Sequence, residues 1–215
     1  MSSKFSGTEL KRLKKIIHVY ETGLFLFLGR LNKLNDELFC SHNKNPIEHI
    51  KKRLKSPDSI AHKLHKLNLA LTADNAEKYI KDIAGIRIIC PFSKDIHSLV
   101  DSFVSVPEWN IIEKEDYISS PKKSGYRSFH LLVEVPVCYS CQTDKIPVEL
   151  QLRTAAMDFW ASIEHQVRYK FKEHIPEHLS DELVLCADKI DDLDKRMFLI
   201  HEIISLINQG CGVCR

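Results

Sequence analysis

A strand that runs directly into a helix, between residues 147 and 165, most constrains how this chain can fold. Apolar and polar residues alternate through its first half, and successive strand residues point to opposite faces of a sheet. The apolar face consists of Val148, Leu150 and Leu152. The polar face consists of Glu149, Gln151 and Arg153. Because an aligned carboxylate, amide and guanidinium are costly to bury, this face predicts a site that handles a metal ion and phosphates.

The composition fits one sizeable hydrophobic core, or one domain with helical additions. The chain has 215 residues, of which 44% are hydrophobic, and its formal net charge is +2. The charge is unevenly distributed, since basic residues crowd between residues 51 and 66 and acidic residues gather between 181 and 194. A basic cluster of this kind suits polyanions such as nucleotide phosphates or RNA.

We expect a cytoplasmic protein that does not enter a membrane. The longest apolar run, residues 24–28, is far shorter than the roughly 20 residues that a membrane span requires. The N-terminus also lacks the apolar stretch and small-residue cleavage site of a secretory signal. In the cytoplasm the seven cysteines are expected to be reduced thiols.

The spacing of apolar residues predicts an α+β (mixed α/β) domain. Helices are predicted over residues 8–39, which can break near Gly23 or Gly29, from residue 56 onward, and over 95–103, 154–170 and 179–208. Strands are predicted over residues 47–55, 83–92, 109–115, 129–136 and 147–153, with a loop over 138–145. Together they form a mixed sheet of about five strands flanked by helices, over residues 46–170. Residues 1–45 and 171–215 are predicted to be helical extensions.

Two carboxylates stand on or beside predicted strands. Asp82 lies just before the buried strand 83–92, and Glu149 lies on the polar face of strand 147–153. If these strands are neighbours, the carboxylates converge, and Mg²⁺ usually takes only one or two protein carboxylates besides water and substrate phosphates. The same pattern fits an Asp82 that caps a turn and a solvated Glu149, so spacing alone leaves both interpretations open.

A second signal is the run of basic residues between Arg53 and Lys66. Arg53 and Lys55 share one strand face, while Lys63 and Lys66 are three apart on the following helix, so all four can line one wall. Ser59 adds a hydroxyl near the helix N-terminus, where free amides favour anions. The alternative is a basic face that only keeps the protein soluble.

A third signal is the polar segment 116–130, which leads into a strand. Tyr126 and His130 are four apart, which in a strand places them on one face with Ser128 between them. A ring for base stacking followed by phosphate donors, including Lys122, is what a nucleotide pocket requires. A Tyr126 that is simply packed in the protein is the alternative.

Four segments carry a resemblance to a known family. They are residues 81–87 (Lys-Asp-Ile-Ala-Gly-Ile-Arg), 116–130 (ending in Ser-Gly-Tyr-Arg-Ser-Phe-His), 148–154 (Val-Glu-Leu-Gln-Leu-Arg-Thr) and 159–165 (Phe-Trp-Ala-Ser-Ile-Glu-His). In this order and spacing they resemble the synthetase domain of RelA/SpoT-type proteins. The short length and flanking helices resemble the stand-alone small alarmone synthetases, particularly the RelQ type. The resemblance implies a nucleotidyltransferase-like sheet in the predicted domain.

Members of this family transfer the β,γ-pyrophosphate of ATP to the ribose 3′-hydroxyl of GDP or GTP, which gives ppGpp or pppGpp in the stringent response. The resemblance therefore implies a GTP diphosphokinase that uses Mg²⁺, with ATP and GDP or GTP as substrates. It implies that Asp82 and Glu149 hold Mg²⁺ and that Gln151 lies close to the reacting ribose. Glu149 is also a candidate acceptor of the 3′-hydroxyl proton, and sequence does not separate its two roles.

The resemblance also implies where the nucleotides bind. The adenine of ATP would lie between Arg53 and Arg87, because planar guanidinium groups can stack on a base. The residues expected to hold its triphosphate are Lys55, Ser59, Lys63 and Lys66. The residues expected at the acceptor are Tyr126, stacked on guanine, and Lys122 and His130, near the phosphates.

The chain also departs from the family pattern. Before Pro46 it lacks the His-Asp motif of the hydrolase domain in bifunctional relatives, so hydrolase activity is not expected. RelQ-like enzymes are tetramers whose central cleft binds pppGpp as an activator, which implies a homotetramer here. His49 and Lys51 differ from the usual cleft residues and leave that activation open. The acidic segment 113–116 can alter metal use or the choice among GMP, GDP and GTP.

Two Cys-x-x-Cys pairs remain outside this scheme. Cys138 with Cys141, and Cys211 with Cys214, have the spacing of a four-thiolate zinc site. The pairs are separated by 70 residues and no zinc-ribbon pattern surrounds them. Ordinary reduced thiols are therefore the more usual interpretation.

The alternative function is a catalytically weak relative that binds single-stranded RNA or senses nucleotides. The basic residues and the ring of Tyr126 would serve such binding. RNA binding gains nothing from Asp82 and Glu149 beside phosphates, whereas a magnesium-dependent transferase requires both. The acid pair therefore favours the enzyme.

Overall fold

The computed structural model describes residues 4–42, 45–106, 109–139, 142–171 and 175–211. The helices are α1 (Gly7–His42), α2 (Pro57–Lys66), α3 (Ala73–Tyr79), α4 (Ser93–Ser105), α5 (Ala155–Lys170) and α6 (Glu177–Cys211). The strands are β1 (His49–Leu54), β2 (Ala84–Cys90), β3 (Asn110–Asp116), β4 (Phe129–Tyr139) and β5 (Gln142–Thr154). The predicted mixture of helices and strands is confirmed.

The five strands form one mixed sheet in the order β1-β2-β5-β4-β3. Strands β2 and β5 are parallel, and the other neighbouring pairs are antiparallel. Gly85 of β2 lies opposite Arg53 on one side and Glu149 on the other. Arg87 lies opposite Lys51 and Gln151. Residues from three strands therefore stand side by side on one face of the sheet.

Local capping explains why the chain passes from β5 into α5 without a loop. The side-chain oxygen of Thr154 accepts a hydrogen bond from the backbone N–H of Met157 at 3.2 Å. This is the N-cap arrangement, and Thr154 is also the last residue of β5. Ser56 caps α2 in the same way, with Pro57 as the first helical residue.

The apolar face of the sheet is covered by α1 and α4, and it forms the core. Val148, Leu150 and Leu152 are fully buried, as their alternation predicted. Helix α1 crosses this face so closely that a Cβ at Gly23 would lie 2.3 Å from the Cδ1 of Ile146. Gly23 is thus a point of close packing and not a break, and α1 is continuous. The prediction that this helix can break at Gly23 or Gly29 was wrong.

Two other predictions need correction. The loop predicted over residues 138–145 is mostly strand, because β4 continues to Tyr139 and β5 begins at Gln142. Helix α3 was not predicted, since its seven residues bury only Ala73 and Ala76 and leave too short an apolar pattern to recognise. Among the residues described, no helix is long and apolar enough to cross a membrane.

Candidate active site

The polar face of β5 lies at the junction of two cavities. Asp82, which precedes β2, and Glu149, on β5, line both of them. The first cavity, of about 190 Å³, also includes Lys63, Glu113 and His130. The second cavity, of about 310 Å³, is lined by the two carboxylates, by Gly85 and Gln151, and by the cationic residues Lys51, Lys52, Arg53, Lys55 and Arg87. The parallel pairing of β2 and β5 brings the two carboxylates to one place.

Asp82 is held in its ionised form by two lysines. Lys63 donates to one carboxylate oxygen at 2.8 Å, and Lys55 donates to the other. Burial opposes the charge on Asp82, but the two hydrogen bonds outweigh it and keep its pKa below the usual value. At neutral pH, Asp82 is therefore a carboxylate with neighbouring cations.

Glu149 has the opposite tendency. Its burial, together with the charge of Asp82, raises its pKa above the ordinary value. Gln151 donates to one of its oxygens at 3.1 Å, and the Nδ1 of His130 lies 3.6 Å from the other. An additional cation between the two carboxylates would relieve their repulsion, so the pair fits a divalent ion.

Within the part of the chain that the structure describes, no three His, Cys, Asp or Glu side chains are grouped as metal ligands. Two carboxylates are nevertheless enough for Mg²⁺, because water and substrate phosphates usually complete its octahedral shell. Of the cysteines in the two Cys-x-x-Cys pairs, Cys138 is exposed. Cys141, Cys214 and the side chain of Cys211 lie outside the described residues, so the zinc hypothesis stays a prediction.

Asp158, in the first turn of α5, connects the cationic side chains of this face. One of its oxygens lies 2.9 Å from Nη1 of Arg87 and accepts a hydrogen bond from Nη1 of Arg153 at 3.1 Å. Its other oxygen lies 3.5 Å from Nζ of Lys51. Arg153 is only 4% exposed, and a charge at that depth needs a partner. Arg153 is therefore a buried residue that connects β5 to α5 through Asp158.

A chain of hydrogen bonds links Arg153 to the aromatic residues of the site. Arg153 donates to the hydroxyl of Tyr126 at 2.6 Å, and that hydroxyl lies 2.8 Å from Nε2 of His130. Because a guanidinium only donates, the hydroxyl accepts from Arg153 and can give its own proton to an unprotonated Nε2. Burial and the nearby charges of Arg153 and Lys122 lower the pKa of His130 to about 4, so the ring is neutral.

Tyr126 lies in the turn before β4 and not on the strand itself. The strand alternation that would place Tyr126, Ser128 and His130 on one face does not apply, because only His130 lies on β4. Ser128 is fully buried and donates to the carbonyl of Leu152 at 3.1 Å. The hydroxyl of Tyr126 reaches His130 across the edge of the turn. Tyr126 and His130 do lie close together, but their contact depends on the turn before β4 and not on strand alternation.

Tyr117 is an aromatic residue of the site that sequence analysis missed. Its ring lies 5.3 Å from the ring of His130 and nearly perpendicular to it. The Nζ of Lys122 lies 4.1 Å from the centre of the Tyr117 ring and 5.4 Å from that of Tyr126. Both distances are in the cation–π range, so Lys122 is held between two rings.

The structure places most of the predicted site residues around these cavities. Arg53, Arg87, Gln151 and Tyr126 also line a third cavity of about 480 Å³, which extends to α5. Ser59, Lys66 and Lys122 do not line any of the three. The Ser59 hydroxyl instead lies 2.9 Å from the hydroxyl of Ser56, within the cap of α2.

Comparison with known proteins agrees with this geometry. A family described as "Region found in RelA / SpoT proteins" matches residues 52–174. The chain belongs to the RelA/SpoT family. It is 38% identical, over 91% of its length and 93% of the relative, to the GTP pyrophosphokinase YwaC of Bacillus subtilis.

Two solved structures of this family are similar to the chain over most of its length. Small alarmone synthetase 1 from Bacillus subtilis, bound to its product pppGpp, matches with a TM-score of 0.83 and 30% identity, over 91% of this chain and 99% of that one. Small alarmone synthetase 2 from Bacillus subtilis matches with a TM-score of 0.79 and 38% identity, over 88% of this chain and 97% of that one. The predicted resemblance to stand-alone RelA/SpoT-type synthetases is confirmed. Since the chain is similar to both synthetases, the RelQ subtype stays a prediction.

Proposed function

We propose that this RelA/SpoT protein is a GTP pyrophosphokinase, which transfers the β,γ-pyrophosphate of ATP to the 3′-hydroxyl of GDP or GTP. The observation that carries the proposal is that Asp82 and Glu149 stand together where a cation-lined cavity meets a cavity that contains His130. A reaction between two nucleotides needs such adjoining spaces. The relatives support it, because YwaC is named a GTP pyrophosphokinase and the synthetase 1 structure contains pppGpp.

The second cavity suits ATP because several cations line it. Transfer of a phosphoryl-type group is accelerated mainly by positioning and by neutralising charge on the moving group. Lys55 and Lys63 already meet at Asp82, so they are placed to contact phosphates near the two carboxylates. Ser59 and Lys66 lie away from this cavity and are weaker candidates as phosphate ligands.

Arg53 and Arg87 are proposed to hold the adenine. Nη1 of Arg87 lies 2.9 Å from Asp158, which fixes the guanidinium, and a planar guanidinium can stack on a base. Gly85 stands between Arg53 and Glu149 in the register and adds no side chain to the space. The adenine is therefore proposed to enter the second cavity, which both arginines line.

The acceptor nucleotide is proposed to bind beside Tyr126, with Lys122 and His130 near its phosphates and Gln151 near its ribose. Glu149 then faces the acceptor and is the proton acceptor for its 3′-hydroxyl. In the site without a bound metal ion, burial and the charge of Asp82 raise the pKa of Glu149, which makes it a stronger base than an ordinary carboxylate. His130 stays neutral and orients Tyr126 by accepting a hydrogen bond from its hydroxyl.

Asp82 and Glu149 are proposed to hold Mg²⁺, which when bound would neutralise charge on the transferred pyrophosphate. The charges at the two carboxylates support this assignment. Asp82 is paired with two lysines, whereas the pKa of Glu149 is raised, in part by the charge of Asp82. Asp82, with its lowered pKa, supplies a permanent negative charge. Glu149 is able to move between metal binding and proton transfer.

A cytoplasmic homotetramer is part of the proposal. Helix α6 carries apolar side chains that are at least half exposed and recur every three or four residues. They are Leu193, Met197, Ile200, Ile204 and Ile207. This spacing is typical of a helix that packs against another helix, which supports self-association.

RNA binding finds no support among the relatives and stays an untested prediction.

One assay tests the proposed activity. The full chain is incubated with labelled ATP, Mg²⁺ and each of GMP, GDP and GTP, and the products are separated. We expect a 3′-pyrophosphorylated product with GDP or GTP, none when Mg²⁺ is chelated, and none from Glu149→Gln. Glu134→Gln, which changes a carboxylate of β4 that does not line these cavities, should retain activity. Absence of product from the wild-type chain under every condition would overturn the proposal.

A further inference from the structure

The segment 117–128, here called the acceptor loop, rests directly on helix α6. Gly125 in this loop has a φ of 86°, which favours glycine. A Cβ at Gly125 would lie only 2.7 Å from the Cβ of Ala187 and 3.4 Å from the Cα of Val184. Backbone and helix are therefore in contact at this point, with no space for a side chain between them.

Arg127 forms a second connection between the acceptor loop and α6. Its Nη2 donates to Asp188 at 3.2 Å, and its Nε lies 3.4 Å from an oxygen of Asp191. The side chains of Arg127 and Asp191 are 14% and 11% exposed, so this ion pair is largely shielded from water. The two aspartates are three apart on α6 and face the same arginine.

Helix α6 is in turn fixed to α5. The indole N–H of Trp160 donates to the carbonyl oxygen of Leu183 at 2.9 Å, and Trp160 is nearly buried. Because α5 begins at the end of β5, the position of α6 is tied to the strand that carries Glu149. The acceptor loop is thus held between the catalytic strand and the C-terminal helix.

Tyr126 lies between the two loop residues that touch α6. Its neighbours Gly125 and Arg127 are both fixed to the helix, while its hydroxyl contacts Arg153 and His130. We infer that helix α6 positions Tyr126 for the acceptor nucleotide, with Arg127 as a positioning residue of the acceptor site. This inference rests on the proposed function and assigns a role to the C-terminal helix within the reaction.

The test compares kinetic constants for the two substrates in the full chain. Arg127→Gln should raise the KM for GDP about 10-fold and leave the KM for ATP within about twofold, because only the acceptor loop is released. Arg127→Lys keeps the charge and should recover most of the loss. Asp192→Asn alters an exposed aspartate on the same helix and is the matched control, with both KM values unchanged.

A second variant guards against simple loss of folding. Ala187→Leu places a larger side chain under Gly125 and should push the acceptor loop away from the helix, with the same selective rise in the KM for GDP. Calorimetric titration with GDP alone should show the same weakening in both variants. Equal changes in both KM values, or an unchanged KM for GDP, would overturn the inference. An inactive wild-type chain would instead overturn the proposed function.

Discussion

The guanidinium of Arg153 donates to the hydroxyl of Tyr126 across 2.6 Å, although the two residues are 27 positions apart in the chain. Arg153 also donates to Asp158, whose same oxygen lies 2.9 Å from Arg87. One network of hydrogen bonds and ion pairs therefore reaches from the residue proposed to hold adenine to the one proposed to stack on guanine, with the buried Arg153 at its centre.

Removal of Asp158 should destabilise the protein. Asp158→Asn leaves Arg153 as a buried charge without a carboxylate, which typically costs about 3 kcal/mol or more in the free energy of unfolding. Urea denaturation followed by circular dichroism measures the change. Arg153→Met combined with Asp158→Asn should recover part of the loss, because the uncompensated charge is gone. If the double variant is as unstable as the sum of the single ones, the two residues do not act as a pair.

Glu149→Gln should lower turnover by about 10³-fold or more, since it removes a carboxylate proposed to hold Mg²⁺ and to accept a proton. The same variant should be more stable than the wild type at neutral pH. Burial and the charge of Asp82 raise the pKa of Glu149, so its ionised form disfavours the folded state. This destabilisation is absent at low pH, where Glu149 is protonated in both the folded and the unfolded protein. It develops as the pH rises through the pKa of Glu149 in the folded state.

Denaturation of both proteins between pH 4 and pH 8 tests this expectation. The difference in stability should grow with pH and then level off. A Glu149→Gln variant that is less stable than the wild type at neutral pH would show that ionised Glu149 does not destabilise the folded state.

His130 should make the folded state sensitive to mild acid. Its pKa is about 4 in the folded protein, against an ordinary value of 6.5, so the unfolded chain takes up a proton first as the pH falls. The free energy of unfolding should therefore drop by about 2 kcal/mol from this group between pH 7 and pH 5. His130→Gln keeps an acceptor for the Tyr126 proton and should lose that part of the pH dependence. An identical slope in both proteins would contradict a neutral His130.

Gly85→Val should block the proposed ATP cavity without unfolding the sheet. A Cβ at Gly85 meets only the carbonyl oxygens of Glu149 at 3.7 Å and Arg53 at 4.0 Å, which are ordinary contacts. Valine also favours strands. We expect the KM for ATP to rise at least about 10-fold, with the KM for GDP much less affected. Gly85→Ala is the matched smaller change, and thermal unfolding should show both variants folded. Unchanged ATP kinetics in Gly85→Val would place the ATP elsewhere.

Alternation was enough to predict which face of β5 is buried, because the period of a strand fixes the side of each residue. The neighbouring positions of Asp82 and Glu149 followed only if β2 and β5 pair, and a local pattern does not specify which strands are adjacent. Asp158 was missed for a related reason. In the sequence, Asp158 is an ordinary acidic residue in the first turn of a helix. Only the structure shows that three cations, from β1, β2 and β5, contact it.

The role of Arg127 also depends on partners that are distant in the chain. Arg127 contacts Asp188 and Asp191 more than 60 residues later, on α6, after β4, β5 and α5. Nothing in its neighbouring sequence indicates this contact. Helix α3 was missed because alanines at two buried positions give too little apolar contrast, although Thr72 caps it at the backbone N–H of Asn75. Sequence patterns identify local elements, whereas these contacts arise from tertiary packing.

Because no loop separates β5 from α5, the length of the chain at this junction is constrained. Arg153 is in the strand and Asp158 is five residues later, after the cap at Thr154. One inserted residue in the first turn would rotate the rest of the helix by about 100° and carry Asp158 away from its three cations. A change of length between Thr154 and Asp158 would therefore disturb both proposed nucleotide positions at once.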